Sequence, residues 1–128
     1  MDELLCGRRA LVVEVEMLIV MMIEDMLADL GCKSVTSAAT VDEALALIGA
    51  QAFDVALLDM NLGGNDSGPV AEALSARGVP FAYSTGNTSQ NIRNGNPDSL
   101  VLKKPFRFED LVAILNCLKL APIERKAR

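Results

Sequence analysis

Residues 53–64 read FDVALLDMNLGG. The first seven of them form a short, nearly continuous apolar run that ends in Asp59. Such a run suits a strand buried on both faces, as in a parallel sheet covered by helices. Three further runs have the same character: ALVV (10–13), VPFAYST (79–85) and SLVL (99–102), with KSVTSA (33–38) as a weaker fifth. Between them the apolar residues fall at helical spacing. Ile19, Met22, Ile23, Met26, Leu27 and Leu30 share one face of a helix over 17–30, with Gly31 placed to cap its end. Thr40 opens TVDE, a capping box, and Ala44, Leu45 and Ile48 follow on one face. Pro69 suits the first turn of a helix that closes at Gly78, and Leu111, Val112, Leu115 and Leu118 mark a helix over 107–120.

The segment 86–98, GNTSQNIRNGNPD, carries Ile92 as its one apolar anchor and reads as a loop or a frayed turn. The order is β-α-β-α-β-α-β-loop-β-α. Alternation of this kind predicts right-handed crossovers and one parallel sheet with helices on both faces, an α/β doubly wound fold. Residues 1–121 are expected to form one domain, followed by a short basic tail over 122–128.

Composition narrows the function. The chain has 128 residues, of which 51% are hydrophobic, enough for a full core without disulfides or a structural metal. It has no histidine, which excludes His-dependent acid–base work, His-containing triads and His-ligated zinc within the chain. With no tryptophan, four phenylalanines, one tyrosine and a net charge of −5, it lacks the basic footprint and the stacking platform of a nucleic-acid binder. Residues 1–59 carry a formal charge of −8 and residues 60–128 carry +3, so the acidity belongs to the first half. Cys6, Cys32 and Cys117 are odd in number and widely spaced, with no CxxC and no secretory leader, so a reduced, cytoplasmic chain is expected. The longest uninterrupted apolar run, 17–23, is too short to span a bilayer.

In doubly wound sheets, sites form at the carboxyl ends of the strands, where the strand order switches. Here those ends carry Glu14-Val15-Glu16, Asp59, Ser84-Thr85-Gly86 and Lys103-Lys104-Pro105-Phe106. Carboxylates, a hydroxyl and a lysine on one edge suit phosphoryl transfer to a carboxylate. An Asp can attack an activated phosphoryl group, and positioned cations and hydrogen-bond donors offset the charge of the transferring group.

These residues resemble the response-regulator receiver domain of two-component signalling, over about Arg8 to Leu120. LVVEVE looks like the receiver's first strand and acidic cluster, VALLDMNLGG like its phosphoacceptor strand, FAYSTG like the strand bearing its switch hydroxyl, and LKKPF like its lysine motif. The resemblance implies a flavodoxin-like (βα)5 fold with Asp59 as phosphoacceptor, Thr85 as switch residue and Lys104 as the phosphoryl-binding lysine. It also implies Mg²⁺ held by Glu14, Asp59 and the Asn61 backbone carbonyl. The donor would be a histidine kinase or histidine phosphotransfer protein, which brings the histidine this chain lacks. Such a receiver takes part in its own phosphorylation and dephosphorylation but is not an enzyme. The stretch Pro80-Phe81-Ala82-Tyr83-Ser84-Thr85-Gly86 and the Asn-Leu-Gly-Gly at 61–64 are similar to a variant, often stand-alone subfamily with a PFxFATG-like fourth strand. In that subfamily the fourth helix is short or replaced by a loop, and Thr85 and Gly86 would lead into it.

Two positions depart from the family pattern. Val15 stands where most receivers have a second acidic metal ligand, so Mg²⁺ binding is expected to be weak, with Glu16 reaching the site only by rearrangement. Val101 or Leu102 stands where an aromatic switch partner is usual, which leaves Tyr83, otherwise a packed strand aromatic, as the alternative. The alternative function is a pseudo-receiver, an interaction module with weak or no metal-dependent phosphorylation. On the first helix, Met17, Leu18, Val20 and Met21 lie off the core face, and with Pro105 and Phe106 they form the expected partner surface. Packing against a neighbouring helix or a dimer mate is the equal alternative, for a chain expected to be a monomer or weak dimer. A dinucleotide-binding domain would need GxGxxG where the chain has EVEMLI, a flavodoxin would need a hydroxyl-rich phosphate loop there, and a haloacid-dehalogenase-type phosphatase would need DxD where it has Asp59-Met60-Asn61.

Overall fold

β3 (Val55–Asp59) is buried along its whole length, because it lies in the middle of the sheet with helices over both of its faces. The computed structural model describes residues 5–62, 65–85, 101–103 and 106–118, and the backbone only at Asn61, Asn65, Asp66 and Lys103. β1 (Arg9–Val13), β2 (Ser34–Ala38), β3, β6 (Phe81–Thr85) and β7 (Val101–Lys103) form one parallel sheet in the order β2-β1-β3-β6-β7. The chain builds outward from β1 to β2, then returns to β3 and builds the other way. The strand order therefore switches between β1 and β3, and their carboxyl ends border the crevice.

Pairing of those two strands is pinned at their amino ends by reciprocal bonds. Arg9 N donates to Asp54 Oδ2 at 2.9 Å, and Asp54 N donates to Arg9 O at 2.8 Å. These bonds set Ala10 opposite Val55 and carry the register up to Val13 opposite Leu58.

Side chains alternate between two cores because successive strand residues point to opposite faces. On one face Ala10, Val12, Val55, Leu57, Ala82 and Leu102 pack with α1 (Met17–Asp29) and α4 (Phe108–Cys117) through Ile23, Leu27, Leu111, Ile114 and Leu115. On the other, Leu11, Val13, Ala56 and Leu58 pack with α2 (Val41–Ala50) and α3 (Gly68–Ala76) through Ala44, Ile48, Val70 and Leu74. Among the described residues two helices cover each face, the doubly wound architecture that the alternation predicts. Among the described residues no helix is long and apolar enough to cross a membrane.

Local signals account for the helix boundaries. Thr40 Oγ1 accepts from Glu43 N at 3.0 Å, and Glu43 Oε1 accepts from Ala39 N at 2.8 Å, so the TVDE box caps α2 in both directions. Gly31 and Gly78 follow α1 and α3 at φ 86° and 71°. At Gly78 an added Cβ would meet no atom within 4 Å, so the obstacle to substitution is backbone strain alone. Gly78→Ala is expected to cost about 1 kcal/mol, read as a lower midpoint in urea unfolding with an unchanged slope.

The structure corrects three expectations. Val20, assigned to the partner surface, is buried, and α1 faces the sheet with Val20, Ile23 and Leu27. Ile19, Met22 and Met26 only flank that stripe, half-buried. Phe106, also assigned to the partner surface, lies in the core with Leu102 and Leu111. It stands just before the N-cap Arg107 while Leu111 is the fourth residue of α4, the two positions of a hydrophobic staple. A short antiparallel hairpin, β4 (Asn61–Leu62) with β5 (Asn65–Asp66), stands where no strand was expected. The expected loop over 86–98, the residues Gly86, Lys104 and Pro105, and the tail over 122–128 lie outside the described residues.

Candidate functional site

The parallel register assembles the site before any side chain is considered. Val13 pairs with Leu58, so the next residues, Glu14 and Asp59, leave adjacent strands side by side. Asp59 pairs with Ser84, and Thr85 pairs with Lys103. The carboxyl edge thus runs from Glu14 through Asp59 to Ser84 and Thr85, and then to Lys103, directly before Lys104 in sequence. Two backbone bonds extend the ladder one residue past β1 and β3: Glu14 N donates to Ala38 O at 3.0 Å, and Met60 N donates to Ser84 O at 2.9 Å.

Burial separates the acids that sequence alone treats alike. Glu14 and Asp59 are 2% and 6% exposed, whereas Glu16 is exposed. A buried carboxylate needs compensation, and Glu14 Oε2 accepts a hydrogen bond from Glu16 N at 3.1 Å. Glu16 therefore serves through its amide, holding Glu14, while its own carboxylate faces solvent. It also caps α1, since Ile19 N and Val20 N donate to Glu16 O at 3.0 and 3.1 Å. Val15, between the two acids, is 43% exposed and presents a hydrocarbon at the crevice rim.

Ser84 and Thr85 are both buried at the end of β6. Tyr83 is half-buried and packs edge-on against Phe81, with ring centroids 5.5 Å apart at 85°. This is the packing of a strand aromatic whose neighbour two residues away shares its face.

Sequence reasoning missed Ser67. It is buried, and its Oγ donates to Met60 O at 3.4 Å. Its carbonyl accepts from Val70 N at 3.0 Å and Ala71 N at 3.1 Å. Ser67 thus ties the segment after Asp59, which carries the Asn61 carbonyl, to the first turn of α3. The signal was a serine directly before Gly68-Pro69, a helix-start pattern that says nothing of where its hydroxyl goes.

Among the described residues no three His, Cys, Asp or Glu side chains converge as a metal-binding group. The chemistry nevertheless fits one hard cation. Glu14 and Asp59 supply two carboxylates, and the backbone carbonyl of Asn61 follows two residues later. Magnesium is commonly held by one or two carboxylates, with water and phosphoryl oxygens completing its shell.

Of the predicted partner surface, Met17, Leu18 and Met21 are exposed at 66%, 80% and 52%. They open α1 immediately beside the crevice. Val20 and Phe106 do not contribute.

Comparison with known proteins agrees with this geometry. The response regulator receiver domain family matches residues 10–116. No curated protein matches the chain. Among solved structures, SdrG from Sphingomonas melonis Fr1 is 39% identical, with 91% of this chain and 99% of that chain covered at a TM-score of 0.71. The receiver domain of sensor histidine kinase PA1611 from Pseudomonas aeruginosa, with a magnesium ion coordinated in its active-site cleft, is 29% identical, with 88% and 97% covered at a TM-score of 0.75. The response regulator PhyR from Brucella abortus is 30% identical at a TM-score of 0.75, and the match covers 89% of this chain but 49% of that one. With its five parallel strands, its acids at the switch point and a family match over most of its length, the chain belongs to the response regulator receiver domains.

Proposed function

We propose that this receiver accepts a phosphoryl group on Asp59 from a phosphohistidine of a histidine kinase or phosphotransfer protein, and signals by protein contact. The observation that carries the reading is the placement of buried Asp59 and buried Glu14 directly after the paired Leu58 and Val13 at the switch point, with Thr85 one strand further along the same edge. An Asp59 carboxylate oxygen attacks phosphorus, a P–O bond forms, the P–N bond to the donor imidazole breaks, and the imidazole leaves with the electron pair.

Glu14, Asp59 and the Asn61 carbonyl would hold Mg²⁺, which supplies positive charge against the phosphoryl oxygens. Thr85 donates a hydrogen bond to a phosphoryl oxygen, and Lys104 pairs with the group as a point charge. The added charge of about −1.5 to −2 then acts on the 86–98 segment through Thr85. In this reading the chain turns over no separate substrate and is not an enzyme. Its partners meet it in the cytoplasm, at the crevice and at the exposed Met17, Leu18 and Met21. The test is phosphoryl transfer from a phosphorylated histidine kinase to the full chain with and without Mg²⁺; no label above background in either condition would overturn the reading.

Val15 favours a second reading, a pseudo-receiver with little metal-dependent phosphorylation, because its side chain occupies the rim without offering an oxygen ligand. Val15→Asp distinguishes the two. It is expected to tighten Mg²⁺ about 10- to 100-fold, the usual effect of a ligand or its orienting group, measured by calorimetric titration. Unchanged affinity would mean that another group already completes the site.

A further inference from the structure

Two turns interlock at the end of the sheet opposite the carboxylates. Leu5–Arg8 closes as a β-turn: Arg8 N donates to Leu5 O at 2.9 Å, and Gly7 takes φ 78°, the left-handed conformation a type II turn requires at its third residue. The turn after α1 passes through Gly31. Leu5 N donates to Leu30 O at 2.9 Å, Gly7 N to Gly31 O at 3.3 Å and Lys33 N to Arg8 O at 2.7 Å, so the two turns are joined along their lengths.

Between these bonds Cys6 and Cys32 stand opposite each other as antiparallel bridge partners. The bond from Gly7 to Gly31 flanks the pair instead of joining it, and Cys32 N donates elsewhere, to Leu27 O at 3.2 Å. This is the close, non-hydrogen-bonded kind of antiparallel pair, with side chains on one side and Cα atoms typically about 4.5 Å apart. That spacing lies within the range a disulfide bridges, roughly 4.4–6.8 Å between Cα atoms. Both cysteines are free thiols, Cys6 exposed and Cys32 half-buried.

We propose that Cys6 and Cys32 are a redox pair that closes to an intramolecular disulfide and staples the N-terminal turn to the turn between α1 and β2. The oxidant is a low-molecular-weight disulfide such as oxidised glutathione. Attack starts at Cys6, which is exposed, because burial pushes the Cys32 thiol pKa up and the single S–H of Cys32 has two carbonyl acceptors within reach, Arg8 O at 3.2 Å and Ser34 O at 3.3 Å. Cys6 loses its proton to solvent, its thiolate attacks one glutathione sulfur, and one glutathione thiolate leaves. Cys32 then loses its proton, attacks the Cys6 sulfur of the mixed disulfide and expels the second glutathione thiolate. Two protein thiols and one glutathione disulfide become one protein disulfide and two glutathiones. The closed loop contains β1 and α1, the elements on either side of Glu14. The proposal does not depend on phosphorylation at Asp59.

The test treats the full native chain with excess oxidised glutathione, alkylates it, and maps the digest by non-reducing mass spectrometry. The expected product is a monomer lighter by two hydrogens, with a Cys6–Cys32 cross-link. Its Tm should rise by roughly 10 °C, reversed by dithiothreitol, because the bond restricts the unfolded chain. Cys117→Ser should behave like the parent, while Cys6→Ser, at an exposed position, should fold and lose both the cross-link and the Tm rise. Glutathione left on Cys6, a link through Cys117, chain-to-chain disulfides, or a Cys6–Cys32 link only after unfolding in urea would each overturn the proposal.

Discussion

Asp59→Asn is expected to reduce phosphoryl acceptance from a phosphorylated histidine kinase to background, a fall of at least about 100-fold in label incorporated. An amide oxygen lacks the nucleophilic charge of a carboxylate, and among the described residues the edge offers no equivalent replacement. Glu14 is buried with an oxygen engaged by the Glu16 amide, and Glu16 faces solvent. Asn keeps the shape of Asp at a position only 6% exposed, so the fold should survive, with circular dichroism as the check. Full labelling of Asp59→Asn would move the acceptor to another residue and end the reading of this edge as the acceptor site.

Leu58→Ala should lower stability by about 3 kcal/mol, because burial is lost and a cavity remains. Leu58 is fully buried on the central strand, between α2 and α3 on one side and neighbouring strands on both flanks. With typical denaturant slopes for a small domain, the urea midpoint should fall by roughly 2 M. Leu18→Ala makes the same chemical change on the exposed side of α1 and should stay within about 0.5 kcal/mol of the parent. Equal losses at the two positions would mean that α1 is covered in solution by another surface, such as a second copy of the chain.

The candidate site was largely legible before folding. Short apolar runs ending in Glu14, Asp59 and Thr85 mark the strands, and the doubly wound rule sends their ends to one edge. The register bears this out, with Val13 opposite Leu58, Asp59 opposite Ser84 and Thr85 opposite Lys103. The division of labour between Glu14 and Glu16 was not legible. One carboxylate is buried and the other solvated because the chain turns from β1 into α1 between them, a choice that depends on the packing of α1.

The alternation of strands and helices, the α2 cap, the glycine stops after α1 and α3, and the residue types at each strand end were all readable along the chain. These are local matters, set by side-chain periodicity and backbone preference within a few residues. Tertiary structure alone decided which face of α1 is inside. That helix is apolar nearly all round its first two turns, so its pattern admits more than one phase, and the sheet selected Val20, Ile23 and Leu27. Tertiary structure also drew Phe106 beneath α4 and bound Ser67 to Met60 O. It set Cys6 against Cys32, residues 26 positions apart in sequence whose pairing no local preference encodes. Each of these contacts joins segments distant along the chain, and its free energy exists only once both surfaces have left water together.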